Sequence, residues 1–190
     1  MIGKRRLITD VTTQPLTLSQ VKSWLNIEAA CTEFDTMLTE LIPVARQKVE
    51  DVTNFKLGGA TLEFVFPRFD SELWLEIATI ETVESVKYYD GVNDIQTLAP
   101  ELYETQLIEF PYMILPAFNV TYPLTYTRHD AVIVQVVTGN DYPKPLLTAM
   151  KMILGHWFEN RQDVIIGHGA TEVPQASQDL MNIYKLQILR

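Results

Sequence analysis

Residues 34–66 read FDTMLTELIPVARQKVEDVTNFKLGGATLEFVF, and within them the hydrophobic period changes from helical to alternating. Before the break, Phe34, Leu38, Leu41, Ile42, Ala45, Val49 and Val52 recur at helical spacing, which predicts one long amphipathic helix. Pro43 lies inside it, removes a backbone donor and is expected to kink it. Gly58 and Gly59 are expected to close the helix. After them TLEFVF alternates, the pattern of a strand with one buried face. A chain that switches period this sharply joins a helical layer to a β module.

Working outward, PLTLSQVKSWLNI at 15–27 has Thr17 and Gln20 at capping-box spacing and predicts a short helix over roughly 18–26. Downstream of 66, the segments LWLEIA, SVKYYD, IQTL, LYETQLI and AVIVQVV are short, rich in β-branched and aromatic residues, and separated by Pro, Gly, Asn or Asp. Asp90-Gly91 predicts a turn joining SVKYY to DIQTL. No helical pattern separates these strands, so parallel crossovers are not expected, and the middle reads as an antiparallel sheet of hairpins or a small barrel. Helical spacing returns at Pro145 with Leu146, Met150, Ile153, Leu154, Trp157 and Phe158, running to about Gln162. A last helix is predicted from about Gln175, with Leu180, Ile183, Tyr184 and Ile188 on one side. The fold class is therefore α+β. An N-terminal arm (1–16) precedes a helical core made of 17–60 and 143–190, with an antiparallel β module (61–142) inserted between its halves.

Composition narrows the function classes. Hydrophobic residues make up 47% of the 190 and charged residues 21%, as in a globular protein that can bury a core. Cys31 has no second cysteine to pair with, and no apolar run is long enough to span a bilayer, so a reducing, cytosolic setting without membrane insertion is expected. Lys4, Arg5 and Arg6 resemble the start of a signal peptide, but a polar stretch follows where an apolar run is needed. The net charge of -9 is concentrated: residues 61–130 hold three Lys/Arg against twelve Asp/Glu, whereas the flanking segments balance. Such a module repels a phosphate backbone, which argues against tight, sequence-reading nucleic-acid binding.

Chemistry-bearing clusters are sparse. In HWFENRQDV at 156–164, His156 and Glu159 would share a helix face as two metal ligands could, and His168 is the only further imidazole nearby. Two ligands do not complete a zinc site, and the stretch reads better as a helix end whose aromatics are buried while Glu159, Asn160, Arg161 and Asp163 are solvated. No nucleophile-elbow, phosphate-loop, dinucleotide-binding or zincin motif is present. Glu63, Glu72, Glu76, Glu81 and Glu84 alternate with apolar residues as the wet face of a sheet does. Tyr88, Tyr89, Tyr103, Tyr112, Tyr122 and Tyr126 suit cross-strand packing or a binding surface. No catalytic residue, cofactor or metal site is assigned, and the chain is read as a non-enzyme.

Four stretches taken together resemble the head-to-tail connector (adaptor) proteins of tailed bacteriophages, in the longer version with a β-rich insertion. They are PLTLSQVKSWLNI, FDTMLTELIPVARQKVEDVTNF, SVKYYDGVNDIQTL and PKPLLTAMKMILGHWFENRQDV, in the family's order and covering about residues 13–165. Pro43 departs from the pattern, and the tail beyond His168 does not match. The resemblance implies a structural virion protein of the neck, assembled in the host cytoplasm. About a dozen copies would form a ring under the portal, self-associating through heterologous contacts. The ring would extend the channel through which DNA passes without sequence-specific binding, and would present a surface to a tail-completion or stopper protein. On that expectation Leu180, Ile183, Tyr184, Ile188, Glu159, Arg161 and Asp163 are candidates for the portal or subunit interface. Glu63, Asp70, Glu72, Glu76, Glu81, Glu84, Asp90 and Asp94 are candidates for an acidic channel or sheet surface. Other readings left open are a tail-completion or different β-rich assembly module, and a metal-dependent hydrolase using His156 and Glu159.

Overall fold

The structure, a computed structural model, describes residues 1–108, 110–160 and 175–186. The chain divides into two units: a helical one from Thr13–Leu57 with the described residues from Asp141 onward, and a β unit from Met1–Thr12 with Gly58–Asn140.

In the helical unit, α1 (Leu18–Trp24) starts with the expected capping box: Gln20 N–H donates to Thr17 Oγ1 at 3.3 Å, and Thr17 N–H donates to Gln20 Oε1 at 2.9 Å. Helix α2 (Asp35–Thr53) runs through Pro43 without a break. It stops at Asn54, whose left-handed backbone (φ 59°) lets its N–H donate to the Glu50 carbonyl; the stop expected at Gly58 and Gly59 is corrected to this asparagine, which tolerates that conformation. α3 (Lys144–Glu159) carries Pro145 in its first turn, and α4 (Gln175–Tyr184) follows. Leu38, Ile42, Ala45 and Val49 of α2 pack with Leu146, Ala149, Met150, Ile153 and Leu154 of α3 and with Met181 of α4, all buried. Each large side chain so buried contributes about 1.5–3 kcal/mol. Aromatic edges close the periphery, Phe34 on Phe158 at 5.2 Å and Phe55 on Tyr184 at 6.1 Å.

Charged side chains pin the connections of this unit. Glu50 accepts from Arg46 Nη1 (2.9 Å), Lys56 Nζ (2.6 Å) and the Leu57 N–H (2.9 Å), while Arg46 Nε donates to Gln14 Oε1 (3.1 Å). One carboxylate thus fixes the α2 exit and, through Arg46, the segment before α1. Lys22, also buried, reaches Asp35 at 2.6 Å and the Ala29 carbonyl at 3.2 Å, holding the α1–α2 loop.

The β unit contains β1 (Lys4–Thr9), β2 (Thr61–Phe66), β3 (Leu73–Leu75), β4 (Ile80–Tyr89), β5 (Ile95–Thr97), β6 (Tyr103–Gln106), β7 (Tyr112–Pro116) and β8 (Val132–Thr138). They form two open antiparallel sheets, ordered β1-β2-β8-β4-β5 and β3-β7-β6. Among the described residues the sheets do not close, so the hairpin reading holds and the small barrel does not. Alternation explains the layering: Leu62, Phe64, Phe66, Val132, Val134 and Val136 of the larger sheet and Leu73, Leu75 and Ile114 of the smaller one share one buried core. Residues 1–16, read from the sequence as an arm, contribute β1 to the edge of the five-stranded sheet, and Ile2 bridges Trp74. Where β2 begins, Thr138 Oγ1 donates to the Gly58 carbonyl (2.7 Å) and accepts from the Ala60 N–H (3.0 Å). Gly58, at φ +143°, leaves space that a Cβ would take from Val11, only 2.4 Å away.

Candidate functional site

The candidate residues at the C-terminal end separate by environment. Leu180 and Tyr184 pack against the helical core, with Met181 fully buried beside them, whereas Ile183 is 73% exposed. The stripe predicted as one side is therefore divided, because at 100° per residue the buried face of α4 centres on Ser177, Met181 and Tyr184. The Leu186 N–H donates to the Thr53 carbonyl at 3.2 Å and ties the end of α4 to α2. Glu159 is exposed on the last turn of α3. Arg161, Asp163, His168 and Ile188 lie outside the described residues. His156 meets Asn160, whose side-chain amide stands 3.2 Å from Nδ1 and donates to the His156 carbonyl at 3.0 Å, a helix-end arrangement. Among the described residues no three His, Cys, Asp or Glu side chains converge as metal ligands would.

The acidic candidates have distinct roles. Asp90 builds the β4–β5 turn: its carboxylate accepts from the Val92 N–H (3.1 Å), the Asp94 N–H (3.0 Å) and Gln96 Nε2 (2.9 Å). The Gln96 amide first, then the Asp94 and Val92 N–H groups, hold its carboxyl below the usual carboxylate range. Glu63 pairs with Arg6 across β1 and β2. Asp70 lies 3.7 Å from the Met1 ammonium, Glu72 accepts from Trp74 Nε1 (2.8 Å), and Glu84, at a bulge in β4, accepts from Gln135 Nε2 (2.6 Å). Glu76 is half-buried, and Glu81 and Asp94 are exposed. The eight do not form one patch: they divide among a turn, two sheet faces and the loop before β3.

Aromatic residues mostly pack. Phe69 stacks on Tyr122 at 4.4 Å and tilts against Tyr88 at 5.6 Å, all against the β core. Burial pushes the Tyr122 phenol up, and its Oη has no hydrogen-bond partner among the described residues. Beside them a groove of about 520 Å³ is lined by residues that include Arg68, Pro116, Val120, Pro123 and Leu124. Arg128 covers the Tyr89 ring at 3.6 Å while its guanidinium donates to both Asp130 oxygens, at 2.6 and 2.9 Å. That pairing lowers the Asp130 carboxyl. Lys4 and Arg6, which the sequence places beside Arg5 in a signal-like start, gather with Lys87 and Arg128 on or beside the outer face of the five-stranded sheet, a grouping that strand register, not composition, creates.

These features define a two-unit α+β protein whose described surfaces are exposed sheet faces and a helix edge. Residues 15–96 match the family model of the phage gp6-like head-tail connector proteins. No curated protein matches the sequence. Among solved structures, a chain of the virion of a native gene transfer agent particle shares the fold with a TM-score of 0.77 at 17% identity, covering 97% of each chain. A chain from the neck of an empty gene transfer agent particle computed with C6 symmetry gives 0.73 at 18% identity, covering 98% of this chain and 97% of that one. A third, from the neck of a native particle computed with C12 symmetry, gives 0.72 at 16% identity over the same shares. No described helix is long and apolar enough to cross a membrane.

Proposed function

We propose that this chain is a structural head-tail connector: copies close into a ring in the neck of a phage-like particle, under the portal, without chemistry of their own. The family match over 15–96 carries the reading. The C12 symmetry of the neck containing a similarly folded chain supports about twelve copies. The helical unit offers the portal Ile183 and Glu159 at exposed positions, and a tail-completion or stopper protein binds the opposite end of the ring. DNA passes through the ring past acidic side chains. Glu81 and Asp94 are exposed and carry no ion pair among the described residues, and a negative lining lets the duplex slide where a basic one would hold each phosphate. The test is to image particles made with and without the chain: a ring of it between portal and tail is expected, and particles with a complete neck in its absence would refute the assignment. Reversing Glu81 and Asp94 to Lys should slow DNA delivery while the ring persists; unchanged delivery removes them from the channel.

A further inference from the structure

The β unit turns its apolar side chains inward, which leaves two outer faces with opposite charge character. On the five-stranded sheet, register places Lys4, Val65, Ile133 and Lys87 in one row across β1, β2, β8 and β4. Lys4 is exposed and Lys87 half-buried, and neither has an ion pair among the described residues. Strands lie about 4.8 Å apart, so the two lysines stand about 14 Å from each other with two aliphatic side chains between them.

On the three-stranded sheet Trp74 pairs with Met113, Met113 with Gln106, and Leu115 with Glu104. Burial alternates from Leu73 to Ile77, which puts Glu72, Trp74 and Glu76 on this same outward side, the backbone positions of the two glutamates about 13 Å apart at the rise of an extended chain. None of the six Lys and Arg of Met1–Thr12 and Gly58–Asn140 lies on β3, β6 or β7.

We propose that these faces meet between neighbouring copies of the chain. The Lys4–Lys87 row of one subunit docks on the Glu72–Trp74–Glu76 ridge of the next, with Trp74 over Val65 and Ile133. The proposal rests on the ring reading above and names the surfaces that close the ring. Spacing matches on the two sides, charge is complementary, and each face has an apolar centre with charges outside it, the layout of a protein interface. A face that tracks a phosphate backbone would instead carry cations along its length, whereas here aliphatic side chains fill the middle and Glu63 stands in the adjoining row. Because the two faces differ and lie on opposite sides of one two-layer unit, the contact is heterologous. A copy engaged on one side still presents the other, and only a closed ring satisfies both.

The experiment compares particles assembled with wild-type chain and with two variants, Lys4→Glu/Lys87→Glu and Glu72→Lys/Glu76→Lys, all exposed or half-buried positions. Copies per neck are read by quantitative mass spectrometry and imaging. Each variant alone should lose more than about tenfold in incorporation, since like charges then face each other across the contact. Co-expression of both should restore the ring, in alternation, because each variant now has two like faces complementary to the other's. Normal incorporation of either variant alone, or no rescue by the pair, overturns the face assignment and leaves the ring intact. A wild-type chain missing from the neck would instead sink the ring reading itself. For variants that fail to fold, Val65→Cys with Trp74→Cys in a Cys31→Ser chain should give a ladder of disulfide-linked multimers from wild-type-like rings; monomers alone from such rings overturn the contact.

Discussion

Replacing Glu50 by alanine tests the organisation of the helical unit at its most connected polar atom. The change removes the acceptor for Arg46, Lys56 and the Leu57 N–H together, at a position where Glu50 is 8% exposed and Arg46 4%. Removing one partner of a buried ion pair costs about 3–5 kcal/mol, mostly for the charge left behind. The orphaned Leu57 N–H costs part of a further 1–3 kcal/mol, not fully additive because Lys56 can turn to solvent. The expected loss is therefore about 4 kcal/mol. With a urea dependence of about 2 kcal/mol per molar, the unfolding midpoint of this unit falls by about 2 M. Trp157, packed against the helical core, reports the transition by fluorescence, in a Trp74→Phe background that silences the β unit's indole. Arg46→Met should cost much less in the Glu50→Ala background than in wild type, since the guanidinium has by then lost its counter-ion. A midpoint shift under about 0.5 M, or strict additivity of the two substitutions, would refute the account of Glu50 as the anchor.

Thr17→Ala should lower stability by about 1 kcal/mol through loss of the cap on α1, measured by thermal unfolding, and Gln20→Ala by less; equal melting temperatures would show that the box is idle. Gly58→Ala should destabilise the β unit by roughly 1–3 kcal/mol, because its backbone is at φ +143° and the new methyl meets Val11; a Val11→Ala change should recover the steric part and not the backbone part. Asp90 has a folded pKa below its unfolded one, so its contribution is present above about pH 4 and is lost as pH falls through the lower folded value. A carboxyl NMR titration should place its midpoint below 3.8 in the wild type and higher in Gln96→Ala, and a midpoint at or above 3.8 in the intact protein contradicts the turn geometry. Ile183→Asp should weaken portal binding without changing the unfolding curve, whereas Met181→Asp should unfold the helical unit; portal binding unaffected by the Ile183 change takes that residue out of the interface.

The elements legible in the sequence were those whose signal is local. Thr17 and Gln20 make their own cap, TLEFVF alternates over its whole observed strand, and Asp90 starts a turn that its own carboxylate completes. Two strands were not legible. β1 is KRRLIT, an edge strand exposed along its length, so no alternation of burial marks it and only pairing with β2 reveals it. β7, YMILP, is a continuous apolar run without period two and ends in a proline that a ladder interior would not accept. The helix stop was misread because asparagine serves as well as glycine in the left-handed region, and Asn54 comes first.

The same distinction between local and long-range signal governs the candidate surfaces. Counting charge along the chain gives an acidic middle third, and on that basis the eight carboxylates are candidates for an acidic channel or sheet surface. Register redistributes them. Glu63 is neutralised by Arg6 from a segment nearly sixty positions away, Asp90 is held within its turn, and Glu72 stands beside Trp74 on a sheet whose strands carry no Lys or Arg. Lys4 and Lys87, far apart in sequence, come into one row only because β2 and β8 lie between them. A net charge of -9 alone predicts that copies repel one another. Sorted onto two faces of one unit, the same residues supply opposite charges to each contact, so copies can attract in one orientation and repel in others, which is what a directional ring requires.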